Sequence, residues 1–464
     1  MENKNAWAKY QNNEQKQLVM EFAEGYRKFI SVCKTERECV QEFEKQAKAA
    51  GFAELNSLIA SGTKVKAGDK IYVNNMGKAL AMFVVGKQGM EQGMNILGAH
   101  IDSPRLDLKQ VPLYEDTEMA MLDTHYYGGV KKYQWVALPL ALHGVFVKKD
   151  GSIVNVNIGD KPEDPVFGIS DLLIHLSADQ LEKKAAKVIE GEKLDLLIGS
   201  IPVESEDKEK AKEAVKANIL RILEETYGVA EEDFLSAEIE VVPAGDARDY
   251  GFDRSMIMGY GHDDRVCAYP SFQAILSMDA PEITSVCLLV DKEEIGSVGA
   301  TGMQSRFFED AVAEILNLQG NYSEIMVRRA MRNSKVLSSD VSAAYDPNYP
   351  EVMERRNAAY FGKGLVFNKY TGSRGKSGSN DANAEYMAKL RNILEKNQVT
   401  FQTSELGKVD QGGGGTIAYI LANYGMEVID SGVAVLNMHA PWEIISKVDL
   451  YEALLGYKAF LKEA

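Results

Sequence analysis

The sequence predicts an α/β fold on three observations. Two short apolar runs, MNILGAHID at 94–102 and ITSVCLLV at 283–290, read as buried strands running into charged residues. Two amphipathic stretches, 14–34 and 37–50, read as helices before the first of them. Across 303–316, 322–337, 380–396, 415–424, 430–438 and 446–462, helix-like and strand-like segments alternate, the pattern of helices layered on a sheet.

Taken in order, the helix at 37–50 is followed by Gly51, the residue expected just past a helix end. Residues 69–87 hold two β-rich runs around Asn-Asn-Met-Gly, a hairpin signal. Strand and turn signals dominate 106–160, and 171–236 is more charged. Within it, 207–228 reads as a helix with Ala211, Val215, Ile219, Ile222 and Leu223 on one face and a solvated charged face opposite. AEIEVVP at 237–243 reads as a strand. Two glycine-rich loops stand out, TGSRGKSGS at 371–379 and Gly412–Gly415.

Composition bounds the function. At about 150 residues per domain, 464 residues suggest two or three domains, and 45% apolar content supplies ample core. A net charge of −16 argues against nucleic-acid and membrane-surface partners. The polar N-terminus shows no signal peptide, and the apolar stretch at 133–147 is too short and interrupted to span a bilayer. Four cysteines without a CxxC suggest a reducing cytoplasm, so any metal must rely on His and carboxylates.

The chemistry-bearing residues gather near predicted strand ends. His100 closes the first apolar strand and Asp102, two residues on, faces the same way, placed to accept the second ring N–H of a ligating histidine. Gly-His-Asp-Asp-Arg at 261–265 sets two carboxylates side by side, which is costly unless a cation or hydrogen bonds hold them. Asp291-Lys-Glu-Glu at 291–294 ends the second apolar strand, where α/β proteins place catalysts. Asp340 in Ser-Ser-Asp and His439 after an apolar strand complete the set. Each has a plainer reading alone: a turn Asp beside a strand-end His, a loop paired to Arg265, a charged loop, a helix N-cap, a satisfied core His. Together they make a mixed N/O donor set suited to Zn²⁺, Co²⁺ or Mn²⁺. Gly375-Lys376-Ser377 is no phosphate loop, because the Walker pattern needs Gly where Tyr370 stands. No GxSxG elbow occurs.

Five segments in order resemble the aspartyl-aminopeptidase-type dinuclear metallopeptidases, family 18 of clan MH, in a divergent bacterial-type branch. They are Gly98-Ala-His100-Ile-Asp102-Ser-Pro, His262-Asp263-Asp264, Asp291-Lys-Glu293-Glu294-Ile-Gly-Ser, Ser339-Asp340 with Asp346-Pro-Asn-Tyr, and Met438-His439 with Glu443. The resemblance implies two divalent ions per chain, zinc before cobalt or manganese. His100, Asp263 and Asp340 would hold one, Asp263, Glu294 and His439 the other, so that Asp263 bridges. It implies Glu293 as general base to the water attacking the first peptide carbonyl, Asp102 as the residue orienting His100, and release of single residues from peptides with a free N-terminus. It further implies a peptidase domain over 1–104 and 256–464, with a mixed sheet flanked by helices. A β-rich dimerisation domain would be inserted at 105–255. In Ser170-Asp-Leu-Leu-Ile-His175-Leu, His175 would reach a neighbouring subunit's site, in a homo-oligomer of dimers that extends in this family to a tetrahedral dodecamer.

The chain departs from the family pattern at Ala343 and Asp346, where the aspartyl type carries His, at Ala440 in place of Ser, and at Asn368, where a Lys is displaced to position 369. These positions shape the substrate pocket, so acidic specificity does not follow, and neutral or basic N-terminal residues stay open. A dinuclear deacylase or carboxypeptidase of related fold is the alternative enzyme. A non-enzymatic scaffold or nucleotide module using 371–379 is the third reading, and the intact Glu293-Glu294 pair speaks against it.

Overall fold

The computed structural model describes residues 4–204 and 210–464, so positions 207–209 of the expected helix lie outside the described residues. The chain divides into two compact units: Met1–Asp102, Ala247–Met438 and Glu443–Ala464 form the first, Ser103–Asp246 with His439–Trp442 the second.

The first unit is an α/β/α sandwich built on a nine-stranded mixed sheet. Its central strands are buried on both faces, which is why they read as continuous apolar runs. Alternation then sorts their side chains. Leu97, Ala99, Cys287, Leu289, Leu337 and Ile429 enter one core, with the helices Asn13–Val32, Glu36–Ala49, His262–Leu276, Ala384–Lys396 and Lys447–Glu463. Ile96, Val286, Leu288, Val336 and Val428 enter the other, with Leu55–Ser61, Phe307–Gln319, Glu324–Arg332 and Ala418–Ala422.

Local signals fix the ends. Asn12 caps Asn13–Val32 by accepting from the Gln15 N–H, and Thr35 with Glu38 forms a capping box on Glu36–Ala49. The expected hairpin is Lys70–Asn75 paired antiparallel with Ala79–Val84. A five-stranded sheet, ordered Arg248–Tyr250, Met256–Gly259, Glu443–Ser446, Ala434–Leu436 and Ser342–Ala343, completes this unit.

The second unit is a six-stranded sheet whose strands pair antiparallel, with Arg105–Asp116, Leu140–Val147 and Ala237–Pro243 at its centre. The stretch at 133–147 is thus a short turn and a sheet strand. The helix expected at 207–228 is Ala214–Tyr227, ended by Gly228 in the left-handed conformation.

Candidate metal centre

Three parallel strands end together at one edge of the large sheet. Thr284–Val290 pairs with Met94–His100 so that Val290 lies opposite His100. Lys335–Ser339 runs along the other side, with Ser338 opposite Gly98. The residues that follow each strand are therefore delivered to one place, the carboxyl edge where α/β sheets carry their sites. Asp340 follows a strand, not a helix, and its N–H donates to the Ser431 carbonyl at 3.1 Å.

His100 is the centre of the cluster and is 1% exposed. Its Nδ1 lies 3.0 Å from the Asp102 carbonyl oxygen and 3.3 Å from the Asp102 carboxylate. That leaves Nε2 facing Asp263 Oδ1 at 3.1 Å, Glu293 Oε2 at 3.8 Å and Asp340 Oδ1 at 3.9 Å. Burial alone would lower the imidazole pKa, but Asp102 and Asp263 outweigh it and hold the value well above the ordinary histidine range.

Asp102 has a larger task than the one its spacing suggested. Its two carboxylate oxygens accept the backbone N–H groups of Glu293 and Glu294 at 3.1 and 3.2 Å. The chain reaches those two residues after Val290 through Lys292, whose φ of 68° turns it back. One side chain thus ties the 293–294 turn to the strand that carries His100. Asp291 is buried behind it and accepts from the Thr301 hydroxyl at 2.6 Å.

Asp263 and Asp264 open the helix His262–Leu276 with non-helical backbone angles. Their position is pinned from both sides. His262 lies fully buried between the Tyr26 hydroxyl, 2.7 Å from Nδ1, and the Ile257 carbonyl, 3.2 Å from Nε2. The carbonyl requires an N–H at Nε2, so Nδ1 accepts from Tyr26 and the ring is neutral. Burial pushes its pKa down to about 3, consistent with an anchor and not a ligand. The Asp263 N–H donates to Glu443 Oε2 at 3.0 Å.

Two donor groups emerge, each with its atoms within 4.8 Å of one another: His100 with Asp264 and Asp340, and His100 with Asp263 and Glu294. The residues fit a divalent cation. His100 Nε2 and both Asp264 carboxylate oxygens are buried without a well-formed hydrogen bond. Burial first, then neighbouring carboxylates, push Asp264 and Asp340 well above the ordinary carboxylate range although His100 pulls them down. Such a pocket binds protons unless a cation takes their place, and its imidazole and carboxylates suit zinc.

Asp264 is a candidate donor to which its sequence context gave no role; its one signal is the adjacent carboxylate pair itself. Asp430 is a further buried carboxylate near this edge. It is buried in the strand Glu427–Gly432, accepts from the Thr416 hydroxyl at 2.5 Å, and burial pushes it up to about 7, with Glu293 contributing. Nothing in the surrounding residues marked it.

The two remaining candidates belong to the second unit. His439 falls with the second unit, where its Nδ1 lies 2.9 Å from the Gly129 carbonyl. His175 is exposed in the same unit, on the turn Ile174–Leu176, among the exposed Leu172, Leu173 and Leu181. Gly375-Lys376-Ser377 lies in a tight hairpin, with the next helix beginning only at Ala384, so it is no phosphate loop.

Residues 29–461 match the family model described as aminopeptidase I zinc metalloprotease, M18. A probable M18 family aminopeptidase 1 of Clostridium acetobutylicum is 65% identical, over 99% of this chain and 98% of its own length. A crystal structure of an M18 aminopeptidase from Thermotoga maritima superposes with a TM-score of 0.94 at 46% identity, covering 100% of both chains. That of aminopeptidase I from Clostridium acetobutylicum gives 0.93 at 62% identity, covering 99% of both. A Saccharomyces cerevisiae structure described as the mApe1 dodecamer, at 20% identity, shares the fold with a TM-score of 0.76, over 97% of each chain.

Proposed function

This chain belongs to the M18 zinc aminopeptidases, hydrolases acting on peptides, and on that premise we propose that its reaction is carried out at the His100 strand edge by Glu293. The observation that carries the reading is the convergence of His100, Asp263, Asp264, Glu294 and Asp340 on common points, with Glu293 beside them. Zinc bound there supplies Lewis-acid polarisation of the scissile carbonyl and lowers the pKa of a coordinated water.

The chain's own residues do the rest. His100 and Asp340 would hold one ion with a carboxylate of the 263–264 pair, and Asp263 and Glu294 would hold a second, Asp263 serving both. His439 would be the remaining nitrogen donor for the second ion. Glu293 takes a proton from the attacking water at its carboxylate and returns it to the leaving amine. It is suited to that: 15% of its side chain is exposed, against 4% for Asp263. Asp102 holds the Glu293 and Glu294 backbone so that base and ligand keep fixed positions. Substrates are peptides with a free N-terminus, whose amine is attracted to this acidic edge.

We further propose that the inserted β-rich region serves dimerisation, that His175 contributes to a neighbouring copy's site, and that the chain assembles as a homo-oligomer in the cytoplasm. The exposed leucines around His175 support an interface there. The changes at Ala343, Asp346 and Asn368 leave the preference open between acidic and neutral or basic N-terminal residues.

The test is hydrolysis of unblocked aminoacyl substrates of Asp, Glu, Lys, Leu and Met by metal-stripped protein, with Zn²⁺, Co²⁺ or Mn²⁺ restored. Metal-restored cleavage supports the reading, and the ranking of Leu, Met and Lys against Asp and Glu settles the specificity. Cleavage only of N-blocked peptides would replace it with a deacylase or carboxypeptidase.

A further inference from the structure

The metal edge leaves two sequence features without a task, the Gly/Ser-rich segment 371–379 and the glycine run at 412–415. The fold puts them against one another. Ser373 and Ser377 exchange backbone hydrogen bonds of 3.3 and 3.1 Å, so Arg374, Gly375 and Lys376 form a hairpin tip. Arg374 and Lys376 hold φ values of 51° and 64°, the left-handed region that residues with a Cβ enter at a cost and that recurs where a site needs it. The Gly372 N–H donates to the Gly414 carbonyl at 2.7 Å. A Cβ on Gly412 would stand 1.5 Å from the Leu406 carbonyl oxygen, and one on Gly413 2.1 Å from that of Gly372. The loops meet backbone to backbone, an approach that only glycine admits.

Between them lies a cavity of about 350 Å³ whose charged lining groups are Arg374, Lys376, Glu405 and Lys408. Glu405 accepts from the Tyr370 hydroxyl. Lys376 sits 3.7 Å over the Tyr370 ring and pairs at 3.0 Å with Asp381, an anion that it shares with Lys369. Arg374 and Lys408 make no ion pair with any described residue. In a chain of net charge −16, this is a local excess of positive charge around a concave site large enough for a ligand.

Both loops that line the cavity lead to Asp430. Asn368, two residues before Tyr370, stands opposite Asp430 in the sheet. Thr416, three residues after Gly413, donates its hydroxyl to the same Asp430, whose carboxylate lies in the field of Glu293.

We propose that this cavity receives a carboxylate of the peptide substrate, held by Arg374 and Lys408, and that in short peptides it is the one at the C-terminal end. The inference rests on the aminopeptidase reading and adds a length and charge preference to it. A carboxylate between an unpaired guanidinium and an ammonium gains charge-assisted hydrogen bonds that an amide does not.

The experiment compares kcat/KM for tripeptides and tetrapeptides ending in a free acid or an amide, and for N-terminal Asp against Asn. Wild type is run beside Arg374→Gln with Lys408→Gln, and beside Arg374→Lys with Lys408→Arg. Wild type is expected to favour the acid over the amide by about tenfold or more, the worth of one charge-assisted bond. That ratio should fall towards one in the Gln pair and return in the charge-keeping pair. A fall in the Asp-to-Asn ratio alone would uphold the carboxylate site and assign it to the N-terminal side chain. Both ratios unchanged in folded variants would overturn the proposal. Should wild type cleave no unblocked peptide, the functional reading fails instead. Calorimetric binding of the same acid and amide to metal-free protein would then test the cavity by itself, with equal affinities overturning it.

Discussion

Two buried acidic clusters lie in the same unit, and they have opposite characters. At the helix Lys447–Glu463, Asp449 accepts the N–H groups of Gly362 and Gly364 at 2.7 and 2.6 Å. Glu452 beside it accepts from the Tyr10 hydroxyl and the Thr400 N–H at 2.6 and 2.7 Å and pairs with Lys9. Every carboxylate oxygen there has a donor from the chain itself. At the strand edge the carboxylates aim at common points around one imidazole, and Asp264 has no well-formed bond from the chain. Burial of acids therefore does not mark a site. What marks it is a set of acceptors left for something the chain does not supply.

Removing Asp263 tests that contrast hardest. If Asp263 is shared as proposed, Asp263→Ala should lose both ions and bring turnover to background while the fold persists. Two ions per chain, counted by elemental analysis of the variant, would refute the bridging role. Glu293→Gln separates chemistry from binding within the same cluster. It should keep its metal content and lose about 10²- to 10⁴-fold in kcat, the usual worth of a positioned general base. A variant with most of its kcat intact would remove Glu293 from the mechanism.

The other cluster should answer in stability and not in metal content. Asp449→Ala leaves two buried N–H groups without acceptors and should cost about 1–3 kcal/mol in unfolding free energy, read by denaturant titration, with metal content unchanged. Its pH dependence carries a sign. Burial raises Asp449 from 3.8 to about 7 despite the backbone hydrogen bonds that lower it. Between those values the native state keeps a proton that the unfolded chain has lost, so this group's contribution falls as pH rises from about 4 to about 7. Asp449→Asn should therefore show a flatter stability profile over that range than wild type. An identical slope in both proteins would show that the carboxyl is not held protonated.

Much of this was legible in the chain because its signals are local. Apolar runs too short for buried helices marked Met94–His100 and Thr284–Val290 as two-faced strands. Residues at the ends of such runs sit at the sheet edge in any parallel arrangement, and that is why His100, Glu293 and Glu294 could be named as candidates; the segment before Asp340 reads as helix-like, and only the structure shows the strand there. Asp102, two residues past His100, lies 3.3 Å from its Nδ1, but its hold on the 293–294 backbone spans 191 residues of sequence. Asp264 and Asp430 went unassigned for the same reason. What makes a buried carboxylate a ligand or an anchor is the partner it meets, and those partners come from other strands.

The sequence by itself determined the family and the layered α/β class, and it marked candidate residues near strand ends and two glycine-rich loops. These depend on periodicity, residue type and spacing, which are written along the chain. Tertiary structure alone decided that the strands at 94–100, 284–290 and 335–339 lie side by side, which of two adjacent aspartates meets which neighbours, and that the loops at 371–376 and 405–413 enclose a cavity. These are meetings of distant segments. They are set by the burial of two apolar sheet faces at once, a condition no single stretch of sequence carries.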